Sequence, residues 1–567
     1  MPMLSIRKIG VIGRTYRHLN RYRQILSVLF RYGFGDLIET LKIDQYIEVG
    51  LQVVSRKKRD RLDRLSRAER VRLVFEELGP TYIKLGQVLS TRPDLIPVEF
   101  VTELARLQDE VPSFDFSEVE RIIQEELHEA PTTLFDSIEA SPVASASLGQ
   151  VHLALTRDGE PVAVKVQRPG IRKTIEVDLE IMLHLATLME RHVEEISLHR
   201  PVKIVEEFAD TLEKELDYTI EAGSMERMAR LFLNDATVYI PAVHRELTTL
   251  RILTMEFVEG IKISEVDRLE AEGFDKKRIT VRGANLYLAQ FFEHGFFHGD
   301  PHPGNIFILP DHVICLLDFG MMGVVDRRTR ELFVDLVDSI VQHEETRCTR
   351  VLLRLTEWEE EPDIRNLEKD VAEFTGRHLY KPIKEIEFGP LLQDMLELSA
   401  RHRLRVPPNL FLMMKALATV EGVARMLDPD FNMVTQTTPF IQRIKLERMH
   451  PQRVADELSH LAADWYEFLS RFPQDLIEIT RLIRSRKLTF RHESSDMPKM
   501  LATYSQISNR ISFAIVIAAL VIGSALIVIS EIPPLFFGIS LIGIIGFFPA
   551  ALMGIWLLIA IIMKGRL

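Results

Sequence analysis

The sequence predicts an α+β protein with two lobes, a helical N-terminal extension and a C-terminal pair of apolar helices. Two short β-rich runs, Val151 to Leu155 and Val162 to Gln167, are separated by turn residues and predict a strand hairpin. Residues 275–430 are instead dominated by apolar residues at helical spacing, as in Phe411 to Leu427. A small sheet is therefore expected to precede a helical lobe.

The predicted segments follow the changes in these patterns. They are a helical N-terminal extension (1–110), a lobe with a small β-sheet and inserted helices (111–260), a helical lobe (261–433), a helical connector (434–506) and a transmembrane helical hairpin (507–564).

Two uncharged stretches, residues 511–529 and 535–563, predict the hairpin. At the rise of an α-helix the first covers about 28 Å, enough to cross the hydrocarbon core of a bilayer. Arg510, Lys564 and Arg566 flank the two stretches, while the turn carries only Glu531. By the positive-inside rule both ends face the cytoplasm. The alternative is a buried hairpin in a soluble core.

Composition and charge exclude several classes of protein. At 567 residues and 46% hydrophobic content the chain should form two or more packed units. The net charge of -12 argues against a nucleic-acid partner. Residues 1–61 nevertheless hold 13 Lys/Arg against 5 Asp/Glu, an excess of 13 − 5 = 8 positive charges. This basic end suits an anionic membrane surface, and a solvated amphipathic helix is an equal alternative.

Cysteine usage points to a reducing compartment. Only Cys315 and Cys348 occur, and neither belongs to a CxxC or Cys/His cluster, so no disulfide framework or thiolate metal site is expected. Basic residues interrupt each apolar run near the N-terminus, and no signal peptide is predicted there.

A first element with chemical meaning is Val162-Ala163-Val164-Lys165, which matches the strand-borne V-A-I-K pattern. Alternate side chains of a strand face one side, so Lys165 would point to the phosphates of a nucleotide. Alone the match is weak, because a surface lysine at the end of a hairpin gives the same pattern.

Two further motifs follow in the order that phosphoryl transfer requires. Residues 298–305 read H-x-D-x-x-x-x-N, which makes Asp300 the candidate catalytic base and Asn305 a candidate magnesium ligand. Residues 314–317 read as a buried strand ending in Asp318-Phe319-Gly320, and Asp318 is the second candidate magnesium ligand. Three motifs in order indicate a bilobal protein-kinase-like fold that binds ATP and Mg²⁺.

Two departures from the protein-kinase pattern argue against peptide phosphorylation. A polar helix is predicted near Asp326, which leaves no room for a long activation segment or an A-P-E motif. Gly299 stands where H-R-D has arginine, so control by a phosphorylated activation loop is not expected. The glycine-rich loop is also replaced, and the predicted nucleotide-binding residues there are Ala144, Ser145, Ala146, Ser147, Leu148, Gly149, Gln150 and Val151, with Glu256 and Val258 completing the set.

With these motifs in place, the sequence resembles the UbiB/AarF-type atypical kinases of the protein-kinase-like superfamily. Lys84, Gly86 and Gln87 match the family's K-x-G-Q motif, which the resemblance places over the active site as a regulatory element that blocks peptides. Glu215 and Asp217 match the E-x-D motif expected to hold that lysine.

The resemblance also makes residues 144–150 the family's alanine-rich loop and the C-terminal hairpin similar to that of bacterial members. It assigns Glu221 to pair with Lys165 in catalysis. From the residues alone, Glu215, Asp217 and Glu221 fall on one predicted helix. There Asp217 and Glu221 share a face and need cations, or form part of an acidic solvated surface.

The resemblance implies a membrane-anchored kinase or ATPase that supports ubiquinone or another isoprenoid-quinone pathway at the bacterial inner membrane, with its catalytic part in the cytoplasm. Expected partners are membrane lipid, isoprenoid-quinone precursors, quinone-biosynthesis proteins and a second copy of the chain. A small-molecule phosphotransferase and a nucleotide-switched scaffold for a lipid-modifying complex are the alternatives. The K-x-G-Q motif and the hairpin count against the first, and the presence of Asp300 and Asp318 counts against the second.

Overall fold

The chain divides into two compact units, Met1–Val454 and Ala455–Leu567. In a computed structural model, the described residues of the first unit are 15–40, 65–92, 95–107, 112–192, 201–342, 344–358, 361–379 and 388–448. In the second unit they are 497–530, 533–536, 539–564 and isolated positions between 465 and 480.

Helices account for most of the first unit. They are α1 (Thr15–Arg31), α2 (Gly35–Thr40), α3 (Arg67–Leu78), α4 (Pro80–Leu89), α5 (Val98–Leu104), α6 (Phe116–Leu127), α7 (Pro131–Leu134), α8 (Ile171–His192), α9 (Pro201–Glu215), α10 (Tyr218–Leu231), α11 (Val266–Ala271), α12 (Lys276–Ala289), α13 (Arg327–Val341), α14 (Glu345–Leu355), α15 (Ile364–Leu379), α16 (Phe388–Arg401), α17 (Pro408–Leu427) and α18 (Met433–Arg448).

The strands of this unit are short. They are β1 (Phe135–Ile138), β2 (Ala144–Ser145), β3 (Gly149–Thr156), β4 (Pro161–Gln167), β5 (Val238–Tyr239), β6 (Ile252–Glu256), β7 (Ile261–Lys262), β8 (Phe296–His298), β9 (Ile306–Leu309), β10 (Val313–Leu316) and β11 (Met322–Val324).

One antiparallel sheet forms the N-terminal lobe, with strand order β1-β3-β4-β6 and with β2 paired to β3. Val162, Val164 and Val166 of β4 are fully buried and pack against helix α6. Because strand side chains alternate, Lys165 lies on the opposite face. The predicted hairpin of β3 and β4 is confirmed.

The C-terminal lobe is helical, as predicted, and holds two small sheets that carry the catalytic motifs. One sheet has the order β5-β10-β9-β7, and the other is the antiparallel pair β8 and β11. Helix α17 is buried along most of its length in the core of this lobe. Helix α18 falls in the segment predicted as a connector, yet it joins this core and binds α13 through Arg448 and Asp335, 2.8 Å apart.

The N-terminal extension packs on the helices inserted in the N-terminal lobe. Apolar side chains of α1, α3 and α4 share a core with those of α8 and α9. Arg21 of α1 binds both carboxylate oxygens of the fully buried Asp178 on α8, at 2.7 and 2.9 Å. Helix α3 begins with a capping box in which Ser66 and Glu69 cap each other's backbone N–H groups.

The long described helices of the second unit are α19 (Met497–Ile529) and α20 (Leu541–Lys564), and the strand pair β12 (Leu535–Phe536) and β13 (Ile539–Ser540) lies between them in the chain. A Cβ atom at Gly546 would lie 2.2 Å from the Ser524 hydroxyl, so the two helices touch closely there. Ile511–Ile529 is long and apolar enough to cross a membrane, and 6% of it is buried. In α20 the apolar stretch Ile544–Ile555 is shorter.

Candidate active site

The centre of the site is an ion pair between a strand of the N-terminal sheet and a helix beside it. The Lys165 ammonium on β4 lies 2.9 Å from both carboxylate oxygens of Glu221, which is buried in the first turn of α10. It also lies 5.2 Å from the ring centre of Tyr218. Burial acts to lower the pKa of Lys165, but the carboxylates of Glu221 and Asp318 outweigh it and raise that pKa. Lys165 is therefore held as a fixed positive charge.

Asp318 faces this charge, with one carboxylate oxygen 3.9 Å from the Lys165 ammonium. Its backbone is left-handed, at φ 56°, which costs a non-glycine residue about 1 kcal/mol or more. The Gly320 N–H donates to the carboxylate at 3.2 Å and helps to hold this conformation. Lys165, with a smaller contribution from Lys84, lowers the pKa of Asp318 to about 2. The carboxylate is thus ionised, and 54% of the Asp318 side chain is exposed. It lies in the cleft between the two lobes, since Lys165 belongs to the N-terminal lobe and Asp318 to the C-terminal lobe.

His298 orders the loop that carries Asp300. Its Nδ1 atom accepts a hydrogen bond from the Asp300 N–H at 3.2 Å, so the ring proton is on Nε2, which donates to the Leu317 carbonyl at 3.2 Å. The ring also stacks edge to face on the buried Phe319. One imidazole therefore fixes the catalytic loop to the segment that precedes Asp318.

Asn305 lies beside the same segment. Its carbonyl accepts from the Leu317 N–H at 2.9 Å, and it immediately precedes β9, which pairs with β10. This pairing puts Asn305 and Asp318 at one edge of the small sheet, although they are far apart in sequence. The structure thus brings Lys165, Glu221, Asp318 and Asn305 into one cleft, with Asp300 on the loop that His298 holds.

These side chains fit a magnesium ion shared with a nucleotide. Among the described residues no group of three or more His, Cys, Asp or Glu side chains could hold a metal alone. Asp318 and Asn305 offer two oxygen ligands, and Mg²⁺ in kinase sites is held by few protein ligands together with phosphate oxygens. The charged Lys165 offers the donor that those phosphates need.

The K-x-G-Q residues lie on α4. The Lys84 ammonium is 3.2 Å from Glu215, at the last residue of α9. A Cβ atom at Gly86 would lie 2.1 Å from Leu107, so glycine lets α4 approach this segment closely. The Gln87 amide donates to the Leu107 carbonyl at 3.4 Å.

The acidic residues are not on one helix, as the sequence pattern predicts. Glu215 ends α9, and Asp217 adopts an extended backbone as the N-cap of α10, accepting from the Thr219 N–H. Glu221 then lies one turn into α10. The prediction of one helix was wrong because α9 ends at Glu215 and Asp217, a strong capping residue, starts a second helix.

Residues 144–151 form a tight hairpin. Ala144 and Ser145 pair with Val151 and Gln150, and the Ala146 N–H donates to the Gly149 carbonyl at 2.8 Å to close the turn. Arg168 donates to the Ala146 carbonyl at 3.4 Å.

Three side chains of this hairpin point away from the cleft or are enclosed. Leu148 is buried among the helices of the extension, and Ser147 is buried as well. The Gln150 amide binds the backbone of Phe114, accepting from its N–H at 3.0 Å. The side chains of Leu148 and Gln150 are therefore engaged within the protein.

Gly149 allows a close contact at the back of the site. A Cβ atom there would lie 2.5 Å from both the Tyr218 hydroxyl and the Val166 carbonyl. Tyr218 is a site residue that the sequence does not reveal, because an aromatic residue that starts a helix carries no distinctive pattern.

The last two predicted residues lie where the chain leaves the N-terminal sheet. Glu256 ends β6, and its carboxylate accepts from the Tyr239 hydroxyl at 2.6 Å and from the Ala242 N–H at 3.2 Å. Its side chain is thus engaged by β5, a strand of the sheet in the C-terminal lobe. Val258 follows in the link between β6 and β7.

Comparison with known proteins identifies the family. Residues 106–352 match the ABC1 atypical kinase-like domain, residues 371–432 the UbiB helical domain and residues 495–563 the ABC1/UbiB kinase-like C-terminal domain. The chain is 31% identical over 547 residues to an uncharacterized protein from the hydrogenase 1 5′ region of Clostridium pasteurianum, covering 96% of this chain and 99% of the other. The chain belongs to the ABC1/UbiB family.

Other ABC1/UbiB relatives carry more informative names. The probable protein kinase UbiB of Cellvibrio japonicus is 35% identical over 72% of this chain and 75% of its own length. The chloroplastic protein Activity of bc1 complex kinase 7 of Arabidopsis thaliana is 37% identical over 67% of this chain and 55% of its own length. The predicted kinase-like family is therefore confirmed.

Proposed function

We propose that this ABC1/UbiB member is a membrane-anchored atypical kinase or ATPase that binds Mg-ATP and supports isoprenoid-quinone biosynthesis, such as that of ubiquinone. The observation that carries the proposal is the Lys165–Glu221 pair, with Asp318 3.9 Å from the same ammonium. Charge and hydrogen-bond donors for phosphates thus meet oxygen ligands for Mg²⁺ in one cleft.

Each residue has a distinct task in this proposal. Lys165, held by Glu221, binds the α- and β-phosphates, and Asp318 and Asn305 bind the metal. Bound Mg²⁺ neutralises phosphate charge. Asp300 accepts the proton of the attacking oxygen, whether this belongs to water or to a small hydroxyl acceptor.

Two features support a substrate other than a peptide. Helix α13 begins at Arg327, directly after its N-cap Asp326, so the segment after Gly320 is too short to form a platform for an extended chain. Helix α4 carries Lys84 to Glu215, close enough to Asp318 to lower its pKa. These contacts support a cleft whose mouth is partly covered by this chain's own extension.

The apolar helix Ile511–Ile529 supports a role at a membrane. A quinone precursor with an isoprenoid tail partitions into lipid, because each buried CH₂ group contributes about 0.8 kcal/mol. An enzyme acting on such a molecule, or on proteins that handle it, would need to work beside the bilayer. We propose that the hairpin crosses the inner membrane twice, with the catalytic unit on the cytoplasmic side.

The first test is Mg-ATP binding and hydrolysis by the full chain in lipid vesicles, with and without a phenolic quinone precursor. We expect Asp318→Asn to abolish Mg-nucleotide binding, because it removes a metal carboxylate. Asp311 is a matched control, since it is exposed and also left-handed at φ 61°. Asp311→Asn should leave the affinity unchanged, and unchanged affinity in Asp318→Asn would refute the proposed site.

A further inference from the structure

Helix α17 packs directly on the loop that carries Asp300. A Cβ atom at Gly299 would lie 2.8 Å from the Leu412 side chain, which explains the glycine in the H-x-D motif. Lys415 is three residues after Leu412 and so lies on the same face of α17. This helix therefore brings a lysine to the acceptor side of the cleft.

Lys415 is unusual among the charged residues of this region. It is partly buried, and its ammonium donates a hydrogen bond of 3.4 Å to the Ser90 hydroxyl at the C-terminus of α4. Within the described part of the chain, no carboxylate lies within 4.0 Å of it. Burial lowers the pKa of Lys415, and the nearby Asp300 carboxylate acts in the opposite direction. A partly buried amine without an ion-pair partner in direct contact is costly, which favours a functional reason for it.

The catalytic loop needs a cation from elsewhere. Residues 298–305 contain no lysine or arginine, and the usual arginine before the aspartate is Gly299. Lys165 is bound by Glu221 on the nucleotide side, and Lys84 is bound by Glu215. During transfer, negative charge spreads over the oxygens of the moving phosphoryl group and must be neutralised on the acceptor side too.

We infer that Lys415 supplies this charge and contacts the phosphoryl group as it moves toward the oxygen positioned by Asp300. The inference rests on the proposed function. In this step the P–O bond to the leaving diphosphate breaks and its electron pair stays on the diphosphate. A new P–O bond forms to the attacking oxygen, whose proton passes to the Asp300 carboxylate.

Ser90 links Lys415 to the helix that carries the K-x-G-Q motif. Its hydroxyl donates to the Gln87 carbonyl at 2.7 Å and accepts from Lys415, so the end of the K-x-G-Q helix holds the lysine. Helix α4 thus contributes Lys84, which binds Glu215, and ends at Ser90, which binds Lys415.

The test compares Lys415→Met, which keeps size and removes charge, with Lys415→Arg, in the full chain in vesicles. Two affinities are measured, one for Mg-ATP and one for Mg-ADP with aluminium fluoride, which mimics the phosphoryl group in transfer. We expect Lys415→Met to bind Mg-ATP within about threefold of wild type and the fluoride complex at least about tenfold more weakly. Turnover should fall about 100-fold. Lys415→Arg should recover most of the fluoride affinity.

The control is Lys203→Met, an exposed lysine on α9 whose side chain is 64% accessible, and it should change neither affinity. Unchanged affinity of Lys415→Met for the fluoride complex, or equal losses of that affinity in the Met and Arg variants, would overturn the role of Lys415 and leave the proposed function standing. If wild type fails to bind Mg-ATP, the proposed function falls and this inference with it.

Discussion

Several glycines of the site matter because they have no side chain, not because they bind a ligand. Gly149, Gly299 and Gly323 have ordinary backbone angles, but a Cβ atom at each would lie 2.1 to 2.8 Å from a neighbouring atom. The neighbours are Tyr218, Leu412 and Phe297, which lie in the cleft or directly behind it. Close approach, not conformational freedom, therefore explains these glycines.

We expect Gly149→Ala to destabilise the protein by about 1–3 kcal/mol, because the new methyl group meets the Val166 backbone carbonyl as well as Tyr218. Displacement of Tyr218 should also weaken nucleotide binding by Lys165. Gly223 lies on α10, where an added Cβ atom would meet nothing within 4 Å, so Gly223→Ala serves as the control. It should be neutral or stabilising by up to about 1 kcal/mol. Thermal unfolding of the two variants checks this, and equal effects would contradict the packing explanation.

Site residues could be predicted from the sequence where they belong to a local motif, but not where their role depends on packing between segments that are distant in the chain. Asp300, Asn305 and Asp318 belong to local motifs with fixed spacing, so they could be named directly. Lys415 could not, because it lies on a core helix far along the chain from Asp300 and its importance comes only from tertiary packing. Side-chain direction was equally hidden at Gln150, which reads as a loop residue but binds Phe114.

At the scale of elements, three strands were predicted, namely the hairpin strands β3 and β4 and the strand β10 before Asp318, whereas the apolar strands β6, β8 and β9 were not. The hairpin of β3 and β4 and the start of α13 follow the sequence patterns. The break between α9 and α10 was missed, because Leu216 and Asp217 fit a continuous helix until the capping hydrogen bond is seen. The capped turn at Asp217 directs Glu221 toward Lys165. A small error in predicting where a helix ends therefore changes the predicted geometry of the site.

The alanine-rich hairpin of β2 and β3 is the element that should tune nucleotide binding. We expect Ala144→Gly or Ala146→Gly to change nucleotide affinity or selectivity, because glycine frees backbone angles that alanine restricts. Titration with ATP and ADP measures the nucleotide affinity and the selectivity of each variant. Ala140→Gly, at an exposed position outside the hairpin, is the control. If neither variant differs from it, the hairpin does not cover the phosphates.

At the scale of the whole molecule, the two compact units have different surfaces. The first buries most of its large apolar side chains, whereas Ile511, Ile522, Leu526 and Ile529 of α19 are 55 to 76% exposed. Such an apolar surface requires lipid or protein around it. The sequence predicts the two apolar helices of this unit from the lack of charge in residues 511–529 and 535–563, but it gives no information on which lipid is bound.

Deleting residues from 507 onward should release the protein from membranes, because it removes the apolar helix Ile511–Ile529. Flotation of the truncated chain with vesicles is the measurement, and Mg-ATP binding should persist as proof of folding. Persistent flotation would identify the basic N-terminal residues as a second anchor. Of the basic segment 1–61, positions 1–14 and 41–61 lie outside the described residues.

The pairing of β8 with β11 has a pharmacological consequence. It fixes the chain after Asp318-Phe319-Gly320, where the Gly299 N–H also donates to the Met321 carbonyl at 2.8 Å. The chain before this motif is fixed by the hydrogen bond from the Leu317 N–H to the Asn305 carbonyl. Turning Phe319 outward would break these bonds and expose a side chain that is 1% accessible. Inhibitors that depend on an outward-turned phenylalanine should therefore find no pocket. Selective compounds are better sought against the contacts that α4 makes through Lys84 with Glu215 and through Ser90 with Lys415.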